Sequence, residues 1–328
     1  MKKMDKRMGR VRVAVACACA LLLAACQNHR IEDEREAISF RSPTTESRTV
    51  IGGDTDLQNA CTPAPDGGGE AIGIMGTVWN EHNDYTLLFD NDALTYNTYW
   101  SYSPVRYWIR GALHNFLAIY PRQESGVYTF DRENGILLWN DITLSTTNNI
   151  DVMYATAERD LSLPDATTDP VQLKFQHAFA LLEFRFVNAS DSNVSSVTNI
   201  SLYNLYHKGR FGFNKYGESG FELTGERAAV GTYEGRCDAT NIPVDISKHY
   251  NLFANVGAVV VMPQEIYKQG VMLRLTVGST TSDVNLSDFS TAYEWEAGKK
   301  YVYTLTRTSS DITFDVRVVD WVEDFIEL

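Results

Sequence analysis

The run Ile312-Thr313-Phe314-Asp315-Val316-Arg317-Val318, inside the C-terminal stretch ITFDVRVVDWVEDFIEL, puts apolar and polar side chains in strict alternation. Ile312, Phe314, Val316 and Val318 share one face; Thr313, Asp315 and Arg317 share the other. A period of two marks a half-buried β-strand. YVYTLTRT (Tyr301–Thr308), just upstream, can pair with this run through the turn residues Ser309, Ser310 and Asp311 to make a hairpin. The apolar face then has two possible destinations. It completes the chain's own last sheet, or it fills a groove in another molecule.

The same short β signals extend back along the chain. AIGIMGTVW (from Ala71), YTLLF, YWIRG, NFLAIYP, VYTF and ILLW are short apolar runs between turns such as EHND, RENG and NDAL. VQLKFQHAFALLEFRFVN (from Val171), VTNISLYNL, RFGFN, VVVMP and VMLRLTVG follow a linker-like PDATTDP at residues 164–170. There is no long amphipathic helical pattern. Frequent short strands in two blocks predict an all-β fold of two β-sandwiches in tandem.

Ahead of these blocks, MKKMDKRMGRVR is basic and VAVACACALLLAA is apolar but shorter than the ~20 residues of a membrane span. Together they predict a secretory signal over residues 1–25. Leu23-Ala24-Ala25-Cys26 resembles a bacterial lipobox, in which cleavage precedes a cysteine that is then lipidated, so Cys26 is the expected lipidation site. Each buried acyl CH₂ contributes about 0.8 kcal/mol, and several chains make a stable anchor. Removing residues 1–25 takes away six basic residues and one acidic residue. That leaves 23 basic against 41 acidic, a net charge of −18. Such acidity excludes nucleic acid as a partner and suits an exported surface. Of the remaining cysteines, Cys61 and Cys237 lie far apart in Gly- and polar-rich stretches. They are expected to be unpaired surface thiols, although an exported protein permits a disulfide between them.

Several motifs in order resemble one family. DVMYA (Asp151–Ala155), VQLKFQHAFALLEFRF (Val171–Phe186), MPQ (Met262–Gln264) and WEAGKKYVYTL (Trp295–Leu305) resemble the "D-x-M-Y-A", "L-x-F-x-H-A-x-A-x-L-x-F", "P-Q" and "W-x-x-G-K-x-Y-x-Y" motifs of the fimbrillins. These are the Mfa-like and FimA-like type V pilin lipoproteins of Bacteroidetes. The resemblance runs from Cys26 to Leu328; the Gly-rich segment around Cys61 departs from it. It implies two transthyretin-like β-sandwich domains and a structural subunit of a surface fimbria. It also implies a palmitate-bearing precursor at the outer membrane, an arginine-specific surface protease that removes the first strand, and homologous subunits that exchange strands. His177 is implied to be a hydrogen-bonded core histidine at the joint between domains.

The domain plan that follows is a signal at 1–25 and a lipidated propeptide with a first strand at Ile38 to Phe40 over 26–48. The two sandwiches occupy 49–169 and 170–310, and a donor-like strand occupies 311–328. Cleavage is expected after Arg48, in the polar stretch SPTTESRT, with Arg41, which abuts the strand, as second choice; both are also readable as solvated surface arginines. If the terminal strand is donated, Ile312, Phe314, Val316, Val318 and Trp321 are buried across the interface, worth about 8–15 kcal/mol in all. Association offsets an estimated 4–15 kcal/mol of that. Head-to-tail contacts of this kind propagate into filaments.

The alternative is a monomeric outer-membrane lipoprotein that acts as an adhesin or glycan-binding protein. The aromatics dense between Trp79 and Trp108 could stack on sugars, but they suit a sandwich core better. Neither Asp54-Thr55-Asp56 nor Asp90-Asn91-Asp92 has the ligand pattern of a calcium loop, and the six histidines are scattered singly, so no metal site and no cofactor are expected. No nucleophile elbow, phosphate-cradling glycine loop or His-Glu-x-x-His appears, so no enzyme is expected.

Overall fold

The run Leu113–Tyr120 is buried over nearly its whole length because the chain buries both of its faces. Phe116, Ala118 and Tyr120 enter one hydrophobic cluster, while Leu117 and Ile119 enter a second. A strand buried on both sides must be continuously apolar, and LHNFLAIY is nearly so.

The computed structural model describes residues 36–41, 57–64, 69–82, 84–124, 126–267, 269–288 and 293–321. In chain order the strands begin with β1 (Phe40–Arg41), β2 (Ile72–Trp79), β3 (Tyr85–Asn97), β4 (Tyr99–Ser101), β5 (Leu113–Tyr120), β6 (Tyr128–Asp131), β7 (Ile136–Thr143) and β8 (Met153–Asp160). They continue with β9 (Val171–Gln172), β10 (Gln176–His177), β11 (Ala180–Asn188), β12 (Val194–Tyr203), β13 (Tyr206–Asn214), β14 (Ser219–Arg227), β15 (Tyr233–Gly235) and β16 (Thr240–Ile242). The last are β17 (Asp245–Asn251), β18 (Val259–Val261), β19 (Gln264–Glu265), β20 (Met272–Val277), β21 (Thr280–Asn285), β22 (Glu294–Trp295), β23 (Lys299–Arg307) and β24 (Ile312–Asp320). The α-helix among the described residues is a single turn, α1 (Leu57–Ala60). The fold is all-β, organised as tandem β-sandwiches.

One sheet has the order β10-β8-β5-β2-β3-β4. A second, β14-β13-β7-β6, mixes the halves of the chain, because the hairpin at Tyr128–Thr143 pairs through β7 with β13. Tyr154 of β8 packs its ring on Phe211 and Phe213 of β13, so these two sheets face each other. The remaining sandwich sets β17-β11-β23-β24 against β15-β12-β20-β21. Phe184 and Phe186 from the first of these sheets share the larger cluster with Leu202 and Leu273 from the other. At β13, Gly209 is required by space: an added Cβ would lie 2.5 Å from the Glu222 carbonyl oxygen on β14. The clusters do not part at residues 169 and 170. Val171, Leu173 and Phe175 belong to the smaller, N-terminal cluster.

Four local expectations are corrected. NDAL is not a turn: it lies within β3, where Asn91 takes φ 58° and the register against β2 shifts between Asp92 and Asp90, a β-bulge. YWIRG is not a strand, because Trp108 turns into the N-terminal core beside His114 and Phe116 instead of joining a ladder. The segment around Cys61, whose glycines, prolines and aspartates predict a flexible loop, is not wholly loop, since α1 lies in it. Cys61 is not a surface thiol: helical spacing from Leu57 turns both residues inward, and both are fully buried.

Cys61 and Cys237 are both free. Burial, reinforced by Glu70, pushes the Cys61 thiol up to about 12. Burial also raises the half-buried Cys237. With that value, roughly one Cys61 in ten thousand is thiolate at pH 8. A thiol reagent should therefore leave Cys61 unmodified in the native protein and label it on unfolding. Residue-resolved mass spectrometry of the labelled protein checks this, and native labelling of Cys61 would contradict its burial.

Glu183 on β11 bonds Arg185 (2.5 Å) and Lys300 of β23 (2.8 Å). Burial raises its carboxyl, but the hydrogen bonds from Lys300 and Arg185 outweigh that and hold it below the ordinary carboxylate range. A depressed carboxylate contributes stability above its unfolded pKa and loses it as pH falls through the folded one. Glu183→Gln should cost about 1–2 kcal/mol at neutral pH and little in strong acid. Urea unfolding at several pH values tests this; a loss that does not vary with pH would exclude the ion pair as its source.

Candidate functional site

Two terminal strands and a polar joint form the candidate site. Ile38 and Phe40 are buried, at 2% and 7% exposure, while Ser39 between them faces out. This is the alternation expected of a strand seated in a groove. β1 pairs in parallel with β9, Phe40 opposite Val171 and Arg41 opposite Gln172. Ile38 N donates to Arg106 O (2.9 Å), and Val171 N donates to Ser39 O (2.8 Å). The Tyr102 hydroxyl donates to Ile38 O (2.7 Å). Phe40 presents its ring edge-on to Phe89, Tyr102 and Phe116, with centroids 5.7–5.9 Å apart. Arg106 is fixed by donating Nε to Leu88 O (2.7 Å) and by an ion pair with Asp92 (3.1 Å). The slot therefore has rigid aromatic walls, while its occupant is held by a two-residue ladder. Burial of Ile38 and Phe40 contributes about 3–6 kcal/mol.

β24 pairs antiparallel with β23 in unbroken register from Arg307↔Ile312 to Lys299↔Asp320. The SSD turn is closed by Thr308 N donating to Asp311 O (2.7 Å). In this structure the hairpin forms, and among the described residues β24 is the edge strand of its own sheet. Ile312, Phe314 and Val316 are half-buried against the larger cluster, and Val318 is 41% exposed. Trp321 alone is buried, at 5% exposure. An edge strand carries unpaired backbone groups on its outer side, the template for adding another strand.

Trp321 reaches the joint between the two parts of the chain. Its ring stacks on His177 at 3.9 Å between centroids and 3° between planes, and the Trp321 backbone N–H donates to Gly298 O (2.9 Å). His177 is buried, and its Nδ1 lies 2.8 Å from Asp151 Oδ1. This is the hydrogen-bonded core histidine expected from the sequence.

Of the other residues named from sequence, Arg41 ends β1, paired with Gln172. Cys26, Arg48 and the signal at 1–25 lie outside the described residues. Sequence reasoning missed Tyr102, Arg106 and Val171 as walls of the slot. Only the aromatic density around Tyr102 hinted at it, since Tyr102 and Arg106 lie 65 or more residues before Val171 in the chain. Among the described residues no group of His, Cys, Asp or Glu is placed to hold a metal, and no helix is long and apolar enough to cross a membrane.

Fold and site together define a tandem β-sandwich protein with a lightly tied first strand and an edge-forming last strand. A family model described as fimbrillin-like matches residues 62–321. The chain belongs to that family. A crystal structure of a candidate cell adhesion protein from Bacteroides uniformis is similar with a TM-score of 0.56 at 18% identity, covering 88% of this chain and 99% of that one. A fimbrial protein from Bacteroides vulgatus is similar with a TM-score of 0.54 at 16% identity, covering 76% and 92%. At such identities the likeness is one of fold. No curated protein matches the sequence.

Proposed function

We propose that this chain is a structural subunit of a surface fimbria, made as a lipoprotein precursor anchored through Cys26 and assembled by protease-triggered strand exchange. Cleavage after Arg48, or after Arg41, frees the segment carrying Ile38 and Phe40 from its slot. The terminal strand of a neighbouring subunit then occupies that slot. The observation that carries this reading is the seating of β1: two buried side chains in an aromatic slot, tied by a two-residue ladder. An emptied slot would expose Phe89, Phe116 and Val171 together with unpaired Arg106 O and Val171 N, a strong template for β-augmentation.

The test is treatment of the purified precursor with an arginine-specific protease, followed by gel analysis without boiling. A ladder of oligomers is expected, and deletion of residues 311–328 should abolish it. A single trimmed monomer would rule the reading out. N-terminal sequencing of protein from cell-surface fibres identifies the cleaved bond.

A second reading rests on an exposed aromatic group. Trp79 and Tyr85 lie 5.2 Å apart with the Lys215 ammonium 5.1 Å from the Trp79 ring, beside Tyr216, which is 72% exposed. Such rings suit sugar stacking by a lipid-anchored adhesin. A glycan-array signal from the uncut monomer, lost in Trp79→Ala, would favour it.

A further inference from the structure

The two terminal strands carry the same short pattern. β1 and the two residues before it read Ile38-Ser39-Phe40-Arg41, and β24 opens Ile312-Thr313-Phe314-Asp315. In both, isoleucine and phenylalanine are two apart, with a small hydroxyl residue between them. In the slot the isoleucine and phenylalanine point into the core and the hydroxyl residue points out. We infer that Ile312–Phe314 of a second copy of this chain occupies the Ile38–Phe40 slot in that register, Ile312 in place of Ile38 and Phe314 in place of Phe40. This inference rests on the strand-exchange reading and adds to it the direction and register of the exchange.

The walls of the slot select this register. The Phe40 pocket is bounded by Phe89, Tyr102 and Phe116, all within 6 Å between ring centroids, which fits a phenyl group. Within 311–321 Phe314 is the one phenylalanine; the other aromatic, Trp321, has a larger ring and a valine two residues before it. A strand shifted by two puts Val316 or Ile312 in the aromatic pocket and leaves it underfilled. A shift by one turns the charged face of β24 into the core. In the proposed register Ile312 N meets Arg106 O, the Tyr102 hydroxyl meets Ile312 O, and Val171 N meets Thr313 O. These are the partners that the slot gives to Ile38 and Ser39. The donor runs parallel to β9. Thr313 faces out as Ser39 does, and Asp315 stands opposite Gln172, where Arg41 stands in the precursor. The half-buried Ile312 and Phe314 gain a closed pocket in the exchange.

Cysteine pairing tests the register. In a Cys237→Ser background, one chain carries Gln172→Cys and the other carries Asp315→Cys, Thr313→Cys or Arg317→Cys. Positions 172, 313, 315 and 317 are exposed, so folding should tolerate each change. After arginine-specific cleavage the chains are mixed and oxidised. The 172–315 pair should give a disulfide-linked dimer at least tenfold more abundantly than the 172–313 or 172–317 pair, with none from uncut precursor. A ladder in which 313 or 317 becomes the preferred partner overturns the register while leaving strand exchange standing. A ladder without any of the three cross-links shows that another segment is donated and also overturns the inference. Absence of both ladder and cross-link overturns the inference and the strand-exchange reading together.

Discussion

Replacing Trp321 by alanine should lower the unfolding free energy by about 3–5 kcal/mol, the range for deleting a buried tryptophan side chain. The side chain is 5% exposed and lies flat on His177, which is also bonded to the buried Asp151. Its removal leaves a void over a polar pair. Buried polar groups opened to partial solvation add to the loss of packing. It also frees the end of β24, which among the described residues pairs with β23 alone. Trp321→Phe keeps a ring over His177 and should lose less than half as much. Urea unfolding of the full chain measures both. A loss under about 1 kcal/mol for the alanine variant would show that the joint does not depend on this ring. The result also bears on assembly. A donated strand must first leave its own sheet, so the energy that Trp321 contributes in the monomer has to be recovered in the neighbour's slot.

Phe40→Ala should destabilise the seating of β1 by about 3–5 kcal/mol, with consequences for processing. Phe40 fills a pocket made by three rings and is the larger of the two side chains that hold β1 in place. A loss of that size multiplies the population with β1 released by roughly 10²–10³ or more, since each 1.4 kcal/mol is tenfold. Arg41 is paired with Gln172 while β1 is seated, so cleavage at Arg41 needs that release. The variant should therefore be cut after Arg41 far faster than the parent. Cleavage after Arg48, seven residues beyond β1 in a polar stretch of sequence, should change little. Timed digestion with mass analysis of the products separates the two sites. Unchanged Arg41 cleavage would mean that β1 does not guard the bond.

The two terminal strands show how far the sequence carried and where it stopped. The alternation of Ile312, Phe314 and Val316 against Thr313, Asp315 and Arg317 fixes a strand with one apolar face, because side chains on a strand point to opposite sides in turn. Partner choice is another matter. Backbone hydrogen bonds are the same for every residue, so nothing in residues 312–318 selects β23 over a slot elsewhere. The hairpin to β23 follows from its nearness in the chain, through the four residues 308–311. A similar limit explains NDAL, where the Asn-Asp signal that elsewhere marks a turn is absorbed as a bulge in a strand paired through this stretch with β2. YWIRG failed for a different reason. Trp108 gains more from the aromatic cluster around Phe116 than from a ladder, and that cluster did not exist until distant strands were brought together.

What the sequence by itself determined is the β class, the turn positions such as EHND and RENG, the family motifs, and the core role of His177, all set by local periodicity or by short, ordered motifs. Tertiary structure alone decided that the Tyr128–Thr143 hairpin pairs with β13, that Cys61 is buried, and that Tyr102, Arg106 and Val171 wall the slot of the first strand. These depend on pairings between segments tens of residues apart. Such pairings are settled by which packed arrangement buries the most apolar surface while satisfying the backbone, a property of the whole chain rather than of any window within it.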